Sequence, residues 1–313
     1  MKSLQYITLS RPDHPFLNEA EEQAHHRFPF RVPLSLWKRV DWAEEEDPLV
    51  RQWRPGGEEL RDVEGFDLDP LGEEGSKTVP GLLAKYPGRV LMLLSAQCAV
   101  HCRFCFRRHG LGPIPTTREG WRGTLNWIRE RSFLKEIIWS GGDPLMLADE
   151  ELAWMAGELG AMPHLQRLRI HTRMPLVSPE RVGASLLDWL KGIRLQPWLV
   201  VHCNHAGELM GGGEQALRRL VREGIPVLSQ SVLLRGVNDS LEVLEELFNR
   251  LVDCGVRPYY LHLLDRVAGT AHFEVGQEEG QSLLAGLRAR LPGYAVPLLA
   301  REEQGLSAKR IIF

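Results

Sequence analysis

Cysteine is scarce in this chain, and its placement rules out a disulfide framework. The number is odd, five, and three of them, Cys98, Cys102 and Cys105, fall within one short stretch. No N-terminal apolar segment resembles a signal peptide, and the apolar runs are broken by charges well short of the ~20 residues that span a bilayer. The reducing cytoplasm is therefore the expected setting, with no membrane partner. An excess of charge of one sign is also missing. A net charge of -3 with both signs interspersed leaves no electrostatic footprint for nucleic acid, so the expected partner is a small molecule. A second C-x2-C knuckle is lacking too, which counts against an ordinary structural zinc site even though His101 and His109 stand close to the cysteines.

What is present is a chain of 313 residues, 43% hydrophobic, enough for one large barrel or two ordinary domains with a real core. The stretch Cys98-Ala99-Val100-His101-Cys102-Arg103-Phe104-Cys105 follows directly on the apolar run Val90 to Leu94. Three thiolates on one loop can converge on a soft metal centre, and three rather than four leave one iron of an iron-sulfur cubane open for chemistry. Zinc, or plain packing, is the competing reading. Cys203 and Cys254 are isolated and read as small buried side chains.

Residues 1–84 are Pro-rich and charged, with short amphipathic stretches such as Pro33 to Trp42, and read as a helical N-terminal extension. The acidic run Glu44-Glu45-Glu46-Asp47 before Pro48 reads as a solvated helix end without chemistry. After the turn Tyr86-Pro87-Gly88 the pattern becomes a regular alternation of β-rich and amphipathic runs, so the main unit is taken as 85–291, followed by a C-terminal segment 292–313. Six strands are expected, at Arg89 to Ser95, Lys135 to Ser140, Arg167 to Thr172, Gln196 to Asn204, Ile225 to Leu233 and Arg257 to Asp265. Helical spacing is clearest at Asp239 to Val252, behind an Asp239/Glu242 capping box. A further helix is expected near Gln277 to Arg290 and a last run at Tyr294 to Ala300. The expected fold is α/β, a partial (β/α)6 barrel, with an open doubly wound sheet as the alternative.

In a barrel, polar residues at the C-terminal strand ends converge on the active site. Here these ends carry Ser95 and the Cys loop, Ser140 to Asp143, His171 to Arg173, His202 to His205, Gln230, and His262 with Asp265.

The C-x3-C-x2-C spacing resembles the signature of radical S-adenosylmethionine (SAM) enzymes. Gln97 to His109, Ser140 to Leu145, His171 to Val177, His202 to Leu209, Ser231 to Asp239 and Pro258 to Asp265 further resemble the lysine 2,3-aminomutases. Leu233-Leu234-Arg235-Gly236-Val237-Asn238-Asp239 and Arg257-Pro258-Tyr259-Tyr260 are specific phrases of that family. Within it, Ala300-Arg301-Glu302 and the His262-x-x-Asp265 pattern look most like the branch linked to β-lysylation of elongation factor P. The resemblance covers nearly all of residues 15–310.

The resemblance implies the following roles. Cys98, Cys102 and Cys105 would hold a [4Fe-4S] cluster that, reduced by a donor such as flavodoxin or ferredoxin, cleaves SAM to methionine and a deoxyadenosyl radical. Gly141, Gly142 and Asp143 would meet the SAM amino group, with Asn204, His205 and Gln230 near its ribose and carboxylate. Pyridoxal 5'-phosphate (PLP) would form its Schiff base with Lys309, and Lys85 and Arg89 would hold its phosphate. Arg107 would bind the substrate carboxylate, and Asp265 and Glu302 the distal ammonium of L-lysine. Lys85 stands where relatives use Arg, and Glu302 where they use Asp. The implied reaction is 1,2-amino migration from L-lysine to β-lysine, which a lysyl ligase would attach to elongation factor P. The alternatives are a radical SAM aminomutase for another amino acid and a non-enzymatic iron-sulfur sensor.

Overall fold

The computed structural model of the protein describes residues 5–8 and 17–313. Its strands are β1 (Tyr6–Thr8), β2 (Arg31–Pro33), β3 (Lys77–Val79), β4 (Leu82–Tyr86), β5 (Arg89–Ser95), β6 (Glu136–Gly141), β7 (Arg167–Thr172), β8 (Gln196–His202), β9 (Val227–Val232), β10 (Arg257–His262), β11 (Leu298–Arg301) and β12 (Arg310–Ile311). The six apolar runs of the sequence thus become β5 to β10. The last run adds a seventh parallel strand, β11.

Strands β3 to β12 form one sheet in which spatial order follows chain order without exception. A doubly wound sheet reverses its order at a switch point. No reversal occurs here, so the open-sheet alternative falls. Parallel strands joined in sequence by crossovers of one hand place their helices on one face and leave the other face to enclose a lumen. The terminal strands β3 and β12 pair only with β4 and β11, both antiparallel, so the barrel is partial.

The covering helices are built as their periodicity dictates. Leu241–Asp253 buries Leu244, Leu247, Phe248 and Leu251 on one stripe. Its start differs from expectation: Ser240, not Asp239, is the N-cap and accepts from the Val243 amide. Asp239 instead accepts from the Gly236 amide at 3.0 Å and pairs with Arg235, closing the preceding turn. The helix Gln277–Arg290 forms where its pattern places it.

The N-terminal region is not a free appendage. Asp47, the last of the acidic run, caps the helix Pro48–Trp53 by accepting from the Leu49 and Val50 amides. Phe30, Trp42, Val50 and Trp53 belong to the same buried cluster as Leu94, Trp139 and Leu199 of the barrel. The divisions drawn at 84/85 and 291/292 do not divide the sheet. The first cuts β4, and β11 and β12 beyond the second complete the last edge.

Candidate active site

A cavity of about 790 Å³ fills the lumen, near the upper end of the range typical of ligand pockets. Alternation along each strand decides what faces it. His202 of β8 stands beside Gln230 of β9, and Gln230 beside Tyr260 of β10, and all three line the cavity. Arg169 of β7 and Trp198 of β8 are likewise neighbours and lie deeper along the same wall.

Cys98, Cys102 and Cys105 line this cavity from the loop after β5. Burial raises all three thiols, Cys105 to about 11, whereas a metal they coordinated would deprotonate them outright. Among the described residues no three His, Cys, Asp or Glu side chains gather as ligands of one ion. A cubane takes its thiolates at separate irons, so a donor set of three soft sulfurs facing one cavity fits a [4Fe-4S] cluster. The buried Arg173 guanidinium donates to Cys102 Sγ at 2.8 Å and is itself held by Glu208 and Gln52.

The loop is anchored from behind by the N-terminal region. His101 N donates to Arg31 O and Arg103 N to Gln52 O. Arg103 and Arg108 both pair with the buried Glu59, whose carboxyl these two cations hold below the usual range against the opposing effect of burial.

Gly141, Gly142 and Asp143 line the cavity at the end of β6, but their local chemistry is spent on the chain itself. A Cβ on Gly142 would sit 2.3 Å from Gln97 O, and one on Gly141, whose φ is +120°, 2.5 Å from Ser95 O. The glycines therefore allow the cysteine-loop backbone to approach β6. Asp143 accepts from Thr172 Oγ1 and from the Leu145 and Arg173 amides, joining the ends of β6 and β7.

Charged groups stand around the rest of the cavity. Arg107 is clasped by Glu73 through two hydrogen bonds of 2.8 and 2.6 Å, and its remaining nitrogen donates to Ser140 Oγ at 2.9 Å. Glu302 bridges Lys85, at 2.7 Å, and Lys309, and accepts from Tyr86 Oη at 3.0 Å. Two adjacent ammonium groups hold its carboxyl down to about 2 despite burial. Arg89 stacks on Tyr86 at 4.6 Å and makes no hydrogen bond or ion pair with the described residues. Asp265 has no side-chain hydrogen bond or ion pair among them either, and burial pushes its carboxyl up to about 7 although Lys309 opposes the rise. His171 and His262 are held well below their usual range by burial and nearby cations, and His202 down to about 3, so all three are neutral.

Nε2 of His171 is buried without a partner, an orphaned polar atom on the cavity wall. With the unpaired Arg89, two lysines and the Tyr260 ring 5.7 Å from Lys309 Nζ, the wall has the donors and the flat apolar surface that a phosphorylated aromatic cofactor needs. These residues fit PLP.

Two expected cofactor residues lie elsewhere. Asn204 is fully buried behind the wall, where it donates to Gln52 and accepts from the Val232 amide and from His202. His205 caps the short turn Ala206–Leu209 through its ring nitrogen. Both differ from the sequence reading: the chain turns away from the lumen after His202, so neither Asn204 nor His205 lines the cavity that Trp198 and His202 of β8 face. Glu73, Tyr86 and Gln52 went unnoticed as site residues. Each lies in the region read as extension or turn, and no periodicity marks them.

The fold now has a class. A radical SAM methyltransferase from Sphaerobacter thermophilus shares it with a TM-score of 0.50 at 23% identity, over 70% of this chain and 68% of that one. The sheet order and partial barrel described above therefore belong to a radical SAM fold. No family model matches the chain. Curated relatives do: it is 44% identical over 291 residues to the L-lysine 2,3-aminomutase of Escherichia coli (strain K12), covering 93% of this chain and 85% of that protein. It is 36% identical over 273 residues to the L-lysine 2,3-aminomutase of Clostridium subterminale, covering 86% of this chain and 65% of the longer relative. The chain belongs to the L-lysine 2,3-aminomutase family and is an isomerase of the aminomutase type. Among the described residues no helix is long and apolar enough to cross a membrane.

Proposed function

We propose that this protein converts L-lysine to β-lysine, using a [4Fe-4S] cluster on Cys98, Cys102 and Cys105, SAM, and PLP on Lys309. The observation that carries the reading is a carboxylate, Asp265, that makes no side-chain hydrogen bond or ion pair among the described residues and shares its cavity with Arg107 and Lys309. A buried carboxylate of this kind fits an arriving ammonium. Arg107 supplies the fork for the substrate carboxylate, and Glu302 keeps Lys309 and Lys85 together at the cavity wall. When bound, the cluster with SAM supplies a carbon radical, and PLP a conjugated ring that carries the migrating nitrogen. The chain's own part is to fix the geometry and exclude water. A donor such as flavodoxin or ferredoxin supplies the electron, the cytoplasm is the compartment, and the β-lysine serves the modification of elongation factor P by its lysyl ligase, as the resemblance of the Glu302 and Asp265 segments implies.

The test is anaerobic. Protein reconstituted with iron and sulfide is given PLP, SAM, reductant and L-lysine, and β-lysine is sought by chromatography. Its appearance supports the reading, which is strengthened if adding elongation factor P and the ligase then yields the modified factor. SAM cleavage without β-lysine would overturn the lysine assignment.

A further inference from the structure

Arg107 is already occupied. Its Nε and Nη2 are both taken by Glu73, and its Nη1 faces Ser140 Oγ and Gly141 O, so no second carboxylate can use the same fork while Glu73 is there. The Arg107 side chain is 9% exposed and that of Glu73 20%, so the pair stands at the cavity wall with Glu73 on the wetter side. Glu73 belongs to no strand. It precedes the single turn Glu74–Ser76, and its segment is positioned by side chains: Asp69 accepts from the Glu73 and Glu74 amides, Lys85 donates to Leu71 O, and Gln304 packs over Gly72, which has a φ of +62°. A strap held in this way opens at lower cost than a strand held by a ladder.

We propose that Glu73 is a placeholder for the substrate's carboxylate, pairing with Arg107 in the free enzyme and yielding the guanidinium to the incoming amino acid as the strap 69–76 lifts. This rests on the reading of Arg107 as the carboxylate binder. The exchange replaces one carboxylate by another, so a largely buried guanidinium is never left without a counter-charge. It also ties one end of the site to the other. Lifting the strap withdraws Leu71 O from Lys85 and Gly72 from Gln304, loosening the group that bridges to Glu302 beside Lys309. Glu73 thereby sets substrate affinity, because the competent state is only the fraction in which Arg107 is free.

The experiment uses the reconstituted holoenzyme without SAM, so that nothing turns over. Equilibrium dialysis with labelled L-lysine is expected to show about tenfold tighter binding for Glu73→Gln, and no change for 1,5-diaminopentane, which lacks the carboxylate. Hydrogen exchange in residues 69–76 should rise with L-lysine and not with the diamine. Weaker lysine binding in Glu73→Gln, or a strap that L-lysine leaves unchanged, overturns the placeholder. Arg107→Ala separates the two levels. If it abolishes the preference for lysine over the diamine while Glu73→Gln also weakens lysine binding, the placeholder alone falls; if lysine affinity survives Arg107→Ala, the role of Arg107 falls beneath it.

Discussion

Arg103, between the second and third cysteines, is held by both carboxylate oxygens of Glu59 at 2.8 and 2.6 Å, and the two side chains are 0% and 1% exposed. A residue from the N-terminal region thus fixes the cysteine loop from inside the protein. Glu59 serves Arg108 as well, which donates to Arg103 O and Gly269 O, so one carboxylate is shared by two buried cations.

Replacing Glu59 by Gln should therefore cost about 3–5 kcal/mol, the usual effect of breaking a buried ion pair from one side. Urea unfolding measures the loss. Iron incorporated per chain should fall further in Glu59→Gln than in a control of equal instability made in the helix Leu241–Asp253.

Single Ala substitutions at Cys98, Cys102 or Cys105 should each abolish the visible iron-sulfur absorbance and SAM cleavage, with the circular dichroism of the fold retained. Cys203→Ala and Cys254→Ala should keep the cluster, because both side chains are buried in the core. Iron analysis of the five variants separates ligands from packing residues. An intact cluster in any of the first three would remove that cysteine from the set.

Lys309→Ala should lose the absorbance of covalently held PLP, and borohydride reduction of the wild type should leave the label on the peptide containing Lys309. A label on Lys85, the other lysine bridged by Glu302, would transfer the role to it.

Asp265 offers a pH test. With its carboxyl pushed up to about 7, it is charged only above that pH, so KM for L-lysine should rise about tenfold per unit as the pH falls below it. Stability carries the same signature with a definite sign. A carboxyl raised on folding costs stability once the pH exceeds its unfolded value, and the cost grows until the pH passes the folded one. Asp265→Asn should therefore raise the thermal midpoint at pH 8, leave it unchanged at pH 4, and flatten the KM profile.

The parallel strands were legible because fully buried strands leave long apolar runs between turn signals, as in Val90 to Leu94. Short edge strands leave no such trace: Lys77–Val79 is three residues long and pairs irregularly with β4. The cysteines came from a local motif, and Arg107, Asp265 and Lys309 from the family resemblance; all line the lumen. Asn204 and His205 did not, because proximity to a strand end does not say on which side of the wall the chain continues. Glu73 was beyond reach for another reason. It meets Arg107 through tertiary packing of an irregular segment, and nothing in the residues around it marks that encounter.

Because each strand of the sheet pairs with the one made just before it, the barrel can grow on the emerging chain one strand and helix at a time, without waiting for a distant partner. The two reactive ends of the site are then born at different times. The thiols emerge after the first parallel strand, whereas Lys309 and Glu302 come only after the last. A nascent chain presents its three thiols well before Glu302 and Lys309 exist, which makes the order in which the cavity is completed a property of strand order.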